Sequence, residues 1–198
     1  DEEVVGAALR GSASALRLAS PAARSSRKLA LAALRQEGAA LEFASEALCG
    51  DRGLVLEALR SEGAALRFAA PGLRADPEVA MAALRQDWRA RDFVAPGLLA
   101  DRAFVLAAVR QDWHVAEAMA APLRDDRDIL LAAVRQDGRA LALASPALRA
   151  DGALVEAAVR QSAAALRFAE GGAARSSAVL LVAGRALCVR ARSRSPAR

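Results

Sequence analysis

The stretch DRAFVLAAVRQDWHVAEAMAAPLRD, residues 101–125, decides the fold, because most of the chain is a variant of it. With Asp101 as position 1, an aspartate or a serine returns every 25 residues, and an arginine always stands at position 10. No insertion or deletion interrupts the count over eight copies. A constant period of roughly 20–50 residues is the mark of a tandem-repeat protein. The position-1 residues are Asp1, Ser26, Asp51, Asp76, Asp101, Asp126, Asp151 and Ser176.

The composition favours an array of closely packed short helices with a nearly neutral surface. The chain has 198 residues, of which 55% are apolar and only 4% aromatic. Its net charge of +5 comes from its end, since the last 14 residues hold five arginines and no acid. The remaining residues, 1–184, carry 23 basic and 23 acidic side chains. A basic domain that binds nucleic acid through its body is therefore not indicated.

The cysteines and the apolar runs give weaker indications about the setting of the protein. Cys49 and Cys188 lie far apart without a CxxC pair, which favours reduced thiols in an intracellular protein. The longest apolar run, 178–184, is much shorter than the roughly 20 residues of a membrane-spanning helix. Because the sequence starts at Asp1, in register with a repeat and without an initiator Met, we expect a fragment or a processed form.

Each copy predicts a first helix that begins at the position-1 residue. Asp76-Pro77-Glu78 is the clearest start, with a capping aspartate, a proline where its missing N–H is harmless, and an acid near the positive helix end. The helix is apolar over most of its surface and therefore needs cover on several sides. A turn that contains glycine, such as Ser61-Glu62-Gly63, would end it in a left-handed conformation.

A second, shorter helix is predicted after this turn. In the segment AALRFAA at 64–70 it would bury Leu66 and Phe68. Neither helix is longer than the roughly 12–15 residues that an isolated helix needs, so the repeats must stack to form a core. Proline would end the second helix in four copies, at Pro21, Pro71, Pro96 and Pro146.

These features predict an all-α fold, an α-solenoid of about seven 25-residue helix-turn-helix repeats plus a degenerate C-terminal unit. The repeats, starting at 1, 26, 51, 76, 101, 126 and 151, would fill residues 1–175. A degenerate terminal helix would occupy 176–189, and the Arg/Ser-rich tail 190–198 would be disordered. A leucine-rich repeat would need an LxxLxLxxN strand motif, which does not occur, and recurring proline excludes a heptad coiled coil.

The repeat pattern D-x-x-φφφ-x-A-φ-R-Q-D/E-G-x-A-L-x-F-A-S-P-x-L-R-x-D resembles a protist and algal repeat family known as domain of unknown function 4116. The segments 136–148 (QDGRALALASPAL) and 155–168 carry the resemblance best, and it covers about seven copies, residues 1–175. Membership would imply a helical repeat and no particular activity. The chain departs from the pattern at Trp88 and Trp113, which stand where the family has its turn glycine.

The sequence holds no recognisable catalytic or cofactor-binding constellation. His114 is the only histidine, and no motif supplies the other residues of a histidine-based metal site or a catalytic triad. Neither a GxxxxGK[ST], a GxGxxG nor an HExxH motif occurs. Acid pairs such as Asp125-Asp126 are explained as helix caps. We therefore expect a protein that is not an enzyme and that has no cofactor and no metal site.

The repeated arginine is the one chemical feature that returns in every copy, and it has two interpretations. A row of guanidinium groups at helix spacing could bind phosphates or a carboxylate-rich partner. Alternatively each arginine pairs with the repeated aspartate of an adjacent copy, or with an acid of its own turn such as Asp87, Asp112 or Asp137; the neutral body favours this structural ladder. The candidate residues are Arg35, Arg60, Arg85, Arg110, Arg135 and Arg160.

A second candidate site lies where two consecutive copies break the pattern. Trp88 with Arg89, and Trp113 with His114, would anchor a partner if exposed, or fill space between repeats if buried. Packing is the commoner role of a large aromatic residue, and we expect it here.

The sequence as a whole predicts a non-enzymatic helical-repeat scaffold or protein-binding module whose partner is another protein. The alternative is a nucleic-acid-associated protein that uses the repeated arginines and the basic tail. The tail would make a weak nucleic-acid contact through Arg190, Arg192, Arg194 and Arg198.

Overall fold

The computed structural model describes residues 2–176 and 179–184. Every regular element in these residues is helical, and none of them forms a strand, which confirms the all-α prediction for this part of the chain. The chain divides into two compact units, Asp1–Leu98 and Leu99–Arg198. Residues 179–184 are helical; the rest of the predicted terminal helix at 176–189, apart from Ser176, and the predicted tail 190–198 lie outside the described residues.

Each repeat contains three helical elements rather than the two that the sequence predicted. The first helices span Glu2–Leu9, Arg27–Leu34, Arg52–Ser61, Pro77–Gln86, Arg102–Val109, Arg127–Gln136 and Gly152–Gln161. The second elements are tight 3₁₀ helices at Ala13–Leu18, Gly38–Phe43, Gly63–Phe68, Trp88–Phe93, Trp113–Ala118, Gly138–Leu143 and Ala163–Phe168. The third are α-helical turns at Pro21–Arg24, Glu46–Cys49, Pro71–Arg74, Pro96–Leu99 and Pro146–Arg149, or 3₁₀ turns at Ala121–Asp125 and Gly171–Arg175.

Proline therefore does more than end the second helix, because it begins the third. Pro21, Pro71 and Pro146 occupy the first turn of a one-turn helix, where the missing N–H costs no hydrogen bond. The second element ends before each of these prolines, as predicted, and the sequence analysis missed only the third element that follows.

The predicted aspartate caps are confirmed at all five position-1 aspartates among the described residues. Asp51 accepts hydrogen bonds from the amides of Gly53 and Leu54, at 2.8 and 3.0 Å. Asp76, Asp101, Asp126 and Asp151 cap their helices in the same way. Ser26 makes no such side-chain bond. The caps satisfy amides that a helix start otherwise leaves without a partner.

The glycine at position 13 does not end the first helix in a left-handed conformation, as the sequence had suggested. Gly171 is the only described glycine with a positive φ. A Cβ on Gly38, Gly63 or Gly138 would lie 2.4–2.6 Å from the carbonyl oxygen of an alanine in the first helix of the next repeat. The glycine is therefore required by close packing between repeats, and the extended residue before it ends the helix.

The core of each unit lies between successive first helices and 3₁₀ helices. In the repeat that starts at Asp51, the first helix buries Leu54, Val55, Ala58 and Leu59, which lie on one face. Among the described residues, no polar or charged side chain is fully buried. Hydrophobic burial at about 25 cal/mol per Å² is therefore the main force that holds neighbouring repeats together.

A backbone hydrogen bond joins each pair of neighbouring repeats within a unit. In Asp1–Leu98, the amides of Ser45, Ala70 and Ala95 donate to the carbonyls of Arg24, Cys49 and Arg74, at 2.9–3.0 Å. In Leu99–Arg198, the amides of Ala120, Ser145 and Glu170 donate to Leu99, Arg124 and Arg149, at 2.9–3.1 Å. These bonds fix the register in which one repeat meets the next.

Candidate interaction surfaces

The N-terminal ends of the first helices lie beside one another within each unit and form what we call the capped edge. In Asp1–Leu98, Arg27 Nε lies 3.1 Å from Asp51 Oδ2, and Arg52 pairs with Asp76 and Glu78. In Leu99–Arg198, Arg102 pairs with Asp126 and Asp128, and Arg127 with Asp151. The arginine at position 2 thus meets the capping aspartate of the next repeat.

These aspartates are stabilised as carboxylates by both contacts. The amide of Leu54 and the guanidinium of Arg27 lower the pKa of Asp51. The guanidinium of Arg127 and the amides of Leu154 and Ala153 outweigh partial burial and lower the pKa of Asp151. The capping aspartate therefore has two structural roles, one in its own helix and one in contact with the preceding repeat.

The structural ladder that the sequence suggested was assigned to the wrong arginines. Its aspartates pair with Arg27, Arg52, Arg102 and Arg127, not with the arginines at position 10. The recurrence of arginine directly after the capping residue could have revealed this, because it has the same period of 25. The position-10 residues lie at the opposite end of the first helix, about 12–15 Å away at 1.5 Å per residue.

That opposite end, which we call the arginine edge, is held together by glutamine rather than by arginine. Gln136 Nε2 donates to the carbonyl of Val109, and its Oε1 accepts from the amide of Trp113 at 3.0 Å. Gln86 likewise accepts from the amide of Gly63, at position 13, but it donates to the carbonyl of Ser61, at position 11 instead of position 9. The sequence analysis missed this side-chain clamp, although glutamine recurs at position 11.

The described position-10 arginines stand outside this clamp and are exposed. In Asp1–Leu98, Arg35 and Arg60 flank the carboxylate of Glu57, at 3.8 and 2.9 Å. In Leu99–Arg198, Arg160 pairs with Glu156 at 2.6 Å. Of the six candidate arginines, Arg85, Arg110 and Arg135 form no ion pair with any described residue and have no hydrogen-bond acceptor among them. Their charges are therefore open to an external partner.

Trp88 lies in the Asp1–Leu98 unit and is half-buried, so it is neither the exposed anchor nor the fully packed residue that the sequence suggested. The guanidinium carbons of Arg91 and Arg89 lie 4.5 and 4.9 Å from its ring centroid. Such cation–π contacts stabilise by about 0.5–1 kcal/mol where solvent reaches them. Trp88 and Arg89, two of the predicted site residues, are thus in direct contact.

Trp113 and His114, in the Leu99–Arg198 unit, are also half-buried and in contact. Their ring centroids are 4.2 Å apart, and the guanidinium of Arg139 lies 5.7 Å from the tryptophan centroid. His114 Nδ1 lies 2.7 Å from Asp112 Oδ1. The guanidinium of Arg139, together with His114, lowers the pKa of nearby Asp137. The cluster is a polar–aromatic surface whose cations and carboxylates are already partly matched.

A metal-ligand cluster and a membrane-spanning helix are both absent from the described residues. No three His, Cys, Asp or Glu side chains among them come together as metal ligands would. Within the same residues, no helix is both long and apolar enough to cross a bilayer. Cys49 is a half-buried free thiol whose pKa is raised by burial and by Glu46, so it is a poor nucleophile.

Recurrent three-element repeats, joined by the same bonds within each unit, define a helical tandem-repeat protein. The chain belongs to the family described as Domain of unknown function (DUF4116), whose model matches residues 26–74, 51–98 and 126–170, more than half of its length. This confirms the resemblance noted in the sequence. No curated protein and no solved structure matches the chain.

Proposed function

We propose that the protein is a non-enzymatic α-solenoid that binds other proteins along its arginine edges. The solenoid arrangement is supported by the inter-repeat bonds, which recur at the same repeat positions within each unit. A stack of this kind presents the same surface residue once per repeat, which suits an extended partner. The absence of a catalytic constellation from the sequence supports a binding role over an enzymatic one.

The observation that carries the proposal is that Arg85, Arg110 and Arg135 are exposed and form no ion pair or hydrogen bond with a described residue. Positions 1, 2 and 11 supply the caps, ion pairs and clamps between repeats. Arg110 and Arg135, on adjacent repeats of one unit, carry charges that no described carboxylate neutralises. Arginine is enriched at the centres of protein interfaces because its planar group forms several hydrogen bonds.

The charges around these arginines favour a protein partner over a nucleic acid. An acid stands two positions after Arg85, Arg110 and Arg135, at Asp87, Asp112 and Asp137. A phosphate backbone would meet these carboxylates as well as the guanidinium groups, whereas a protein can present both signs of charge. The alternative, a nucleic-acid-associated protein, rests on the net charge of +5 and on the arginines of 190–198.

The proposal is tested by selecting peptides from a random display library on the immobilised protein and measuring their affinity for variants. Replacing Arg110 and Arg135 with Gln should weaken binding at least about tenfold, as expected for central interface arginines. The matched control replaces the exposed Arg124 and Arg175, in the same unit but away from the arginine edge, with Gln and should bind like the parent. Equal affinities of the two double variants would contradict the proposal.

The nucleic-acid alternative has its own readout. It predicts that the protein binds single-stranded RNA. The logarithm of the binding constant should then fall steeply and linearly with the logarithm of the salt concentration. Such binding, lost in Arg110→Gln/Arg135→Gln and stronger than that of any selected peptide, would favour the alternative.

A further inference from the structure

A second row of arginines lies at position 24, in the third helical element of four repeats: Arg24, Arg74, Arg124 and Arg149. In three of them, Arg24, Arg74 and Arg149, the Nε atom is enclosed by protein and has no hydrogen-bond partner. All three side chains are half-buried. The enclosed Nε is common to all three arginines, so a ligand at this position would contact the terminal guanidinium nitrogens, whose charge is partly removed from water.

Arg149 shows which chemical group an arginine at position 24 binds. Arg149 Nη2 lies 2.6 Å from Glu170 Oε1, with 27% and 43% of the two side chains exposed. The backbone makes the second contact between the same two residues, since the amide of Glu170 donates to the carbonyl of Arg149 at 2.9 Å. Position 20 of the following repeat therefore places a carboxylate against the guanidinium.

The equivalent positions in the Asp1–Leu98 unit have the same backbone but no carboxylate. The amides of Ser45 and Ala95 donate to the carbonyls of Arg24 and Arg74, each at 3.0 Å. Neither Ser45 nor Ala95 can neutralise a guanidinium, and Arg24 and Arg74 form no ion pair with a described residue. The Ser45 hydroxyl is itself enclosed and unpartnered.

We propose that Arg24 and Arg74 each bind a carboxylate side chain of an acidic segment of a partner protein, as Arg149 binds Glu170. The inference rests on the proposed protein-binding role but uses a different surface from the arginine edge. The carboxylate contacts the terminal guanidinium nitrogens, since Nε stays enclosed in Arg149 even with Glu170 bound. At Arg24 the ligand also lies near the hydroxyl of Ser45.

The spacing of the two arginines defines the segment. They are two repeats apart, which at about 8–10 Å between packed helices corresponds to roughly 16–20 Å. An extended chain rises about 3.3 Å per residue, so two acidic residues about six positions apart reach both arginines. The adjacent ion pairs of Arg27 with Asp51 and of Arg52 with Asp76 present fixed carboxylates that would repel a continuous polyanion such as RNA.

The test measures fluorescence anisotropy of a labelled glycine–serine peptide with two glutamates six residues apart, titrated with the full chain. Ala95→Glu supplies an internal carboxylate at the position opposite Arg74 and should weaken peptide binding about tenfold, the loss of one charge-assisted contact. Ala120→Glu is the matched control, because it adds the same charge at the same repeat position opposite Leu99, in the Leu99–Arg198 unit, and should change the affinity much less. Arg74→Gln, which adds no bulk, should reproduce the effect of Ala95→Glu.

Several further outcomes are decisive. Substitution of glutamine for both peptide glutamates should abolish binding, and Glu170→Gln should open an additional site at Arg149. Equal weakening by Ala95→Glu and Ala120→Glu, or binding of free glutarate as tight as that of the peptide, would overturn the proposal. So would a single-stranded RNA that binds more tightly than the peptide and competes with it. If these tests fail while Arg110→Gln/Arg135→Gln still loses its selected peptides, only this inference fails and the proposed function stands.

Discussion

Single residues in the repeat meet constraints that come from the neighbouring repeat rather than from their own helix. Gly63 has no positive φ, yet a Cβ added to it would lie 2.6 Å from the carbonyl oxygen of Ala83. The capping aspartates combine a local and a neighbouring contact in the same way. Substitutions at these positions therefore test contacts between repeats with a change of only a few atoms.

Gly63→Ala should destabilise the protein by about 1–3 kcal/mol, because the added methyl group overpacks the contact between repeats. Gly72→Ala is the control, since no atom lies within 4 Å of its added Cβ, and it should be neutral or slightly stabilising. Denaturant unfolding of both variants checks this. Equal midpoints for the two would show that the glycine is not selected by packing.

The lowered pKa of Asp151 makes stability depend on pH in a defined direction. Its folded-state pKa is below the ordinary aspartate value of about 3.9, so its contribution is present above that pH and is lost as pH falls through the folded pKa. Stability should therefore fall between about pH 5 and pH 2. Asp151→Asn, which still caps the helix but cannot ionise, should lose less on acidification.

Unfolding midpoints of parent and Asp151→Asn across this pH range provide the measurement. The expected difference at neutral pH is small, about 0–1 kcal/mol, because Arg127 is 52% exposed and solvent screens the pair. If the unfolding midpoint of the parent rose on acidification, its stability would depend on pH in the opposite direction. That result would contradict a lowered pKa of Asp151 as the cause.

At the scale of helical elements, the clamp between repeats comes from a polar side chain with two bonds. Gln136 is the last residue of the first helix Arg127–Gln136. Its side chain bonds two groups of the preceding repeat, the carbonyl of Val109 at the end of that repeat's first helix and the amide of Trp113 at the start of its 3₁₀ helix. Gln136→Ala should cost about 1–2 kcal/mol, since it removes two bonds and leaves a partly buried amide and carbonyl without partners. Gln161 occupies the same repeat position, is exposed and makes no hydrogen bond to a described residue.

Gln161→Ala is thus the control and should stay within about 0.5 kcal/mol of the parent. Hydrogen exchange adds a local readout, because the Trp113 amide should exchange faster in Gln136→Ala. An effect of Gln161→Ala as large as that of Gln136→Ala would show that the glutamines act through helix propensity instead of the clamp.

The sequence analysis predicted the features that consecutive residues encode. It missed the contacts that join a residue to one in the next repeat. The capping aspartates and the first helices are visible in consecutive residues, and the structure confirms them. The 3₁₀ geometry of a segment such as 63–68 was missed, because apolar composition does not distinguish six residues of 3₁₀ helix from a short α-helix. The pairing of Arg27 with Asp51 joins residues 24 positions apart, and only their shared period points to it.

The candidate site was predicted in part. The contacts of Trp88 with Arg89 and of Trp113 with His114 agree with their placement side by side in the sequence, and the position-10 arginines remain candidates. The carboxylate-binding position that we propose at Arg24 and Arg74 could not be predicted. It becomes visible only when the backbone bond from the next repeat places Ser45, Ala95 and Glu170 at equivalent points.

At the scale of the whole molecule, the account requires that every repeat be interchangeable as a packing partner. No first helix described here exceeds 10 residues, which is below the length at which an isolated helix is stable in water. Stability must then come from the contacts that each repeat makes with its neighbours. Removal of one whole repeat keeps those contacts, whereas removal of part of one displaces them.

The most direct test deletes residues 51–75 and compares the product with one that lacks only 51–62. In the first variant, Arg27 meets Asp76 and Gly38 packs against Ala83, so circular dichroism should show unchanged helix content per residue and one cooperative thermal transition. In the second variant, the capping aspartates and the glutamine clamps no longer meet their partners in the neighbouring repeat. Helix content and cooperativity should therefore fall. Equal losses in both variants, or a better-folded product from the shorter deletion, would contradict the account.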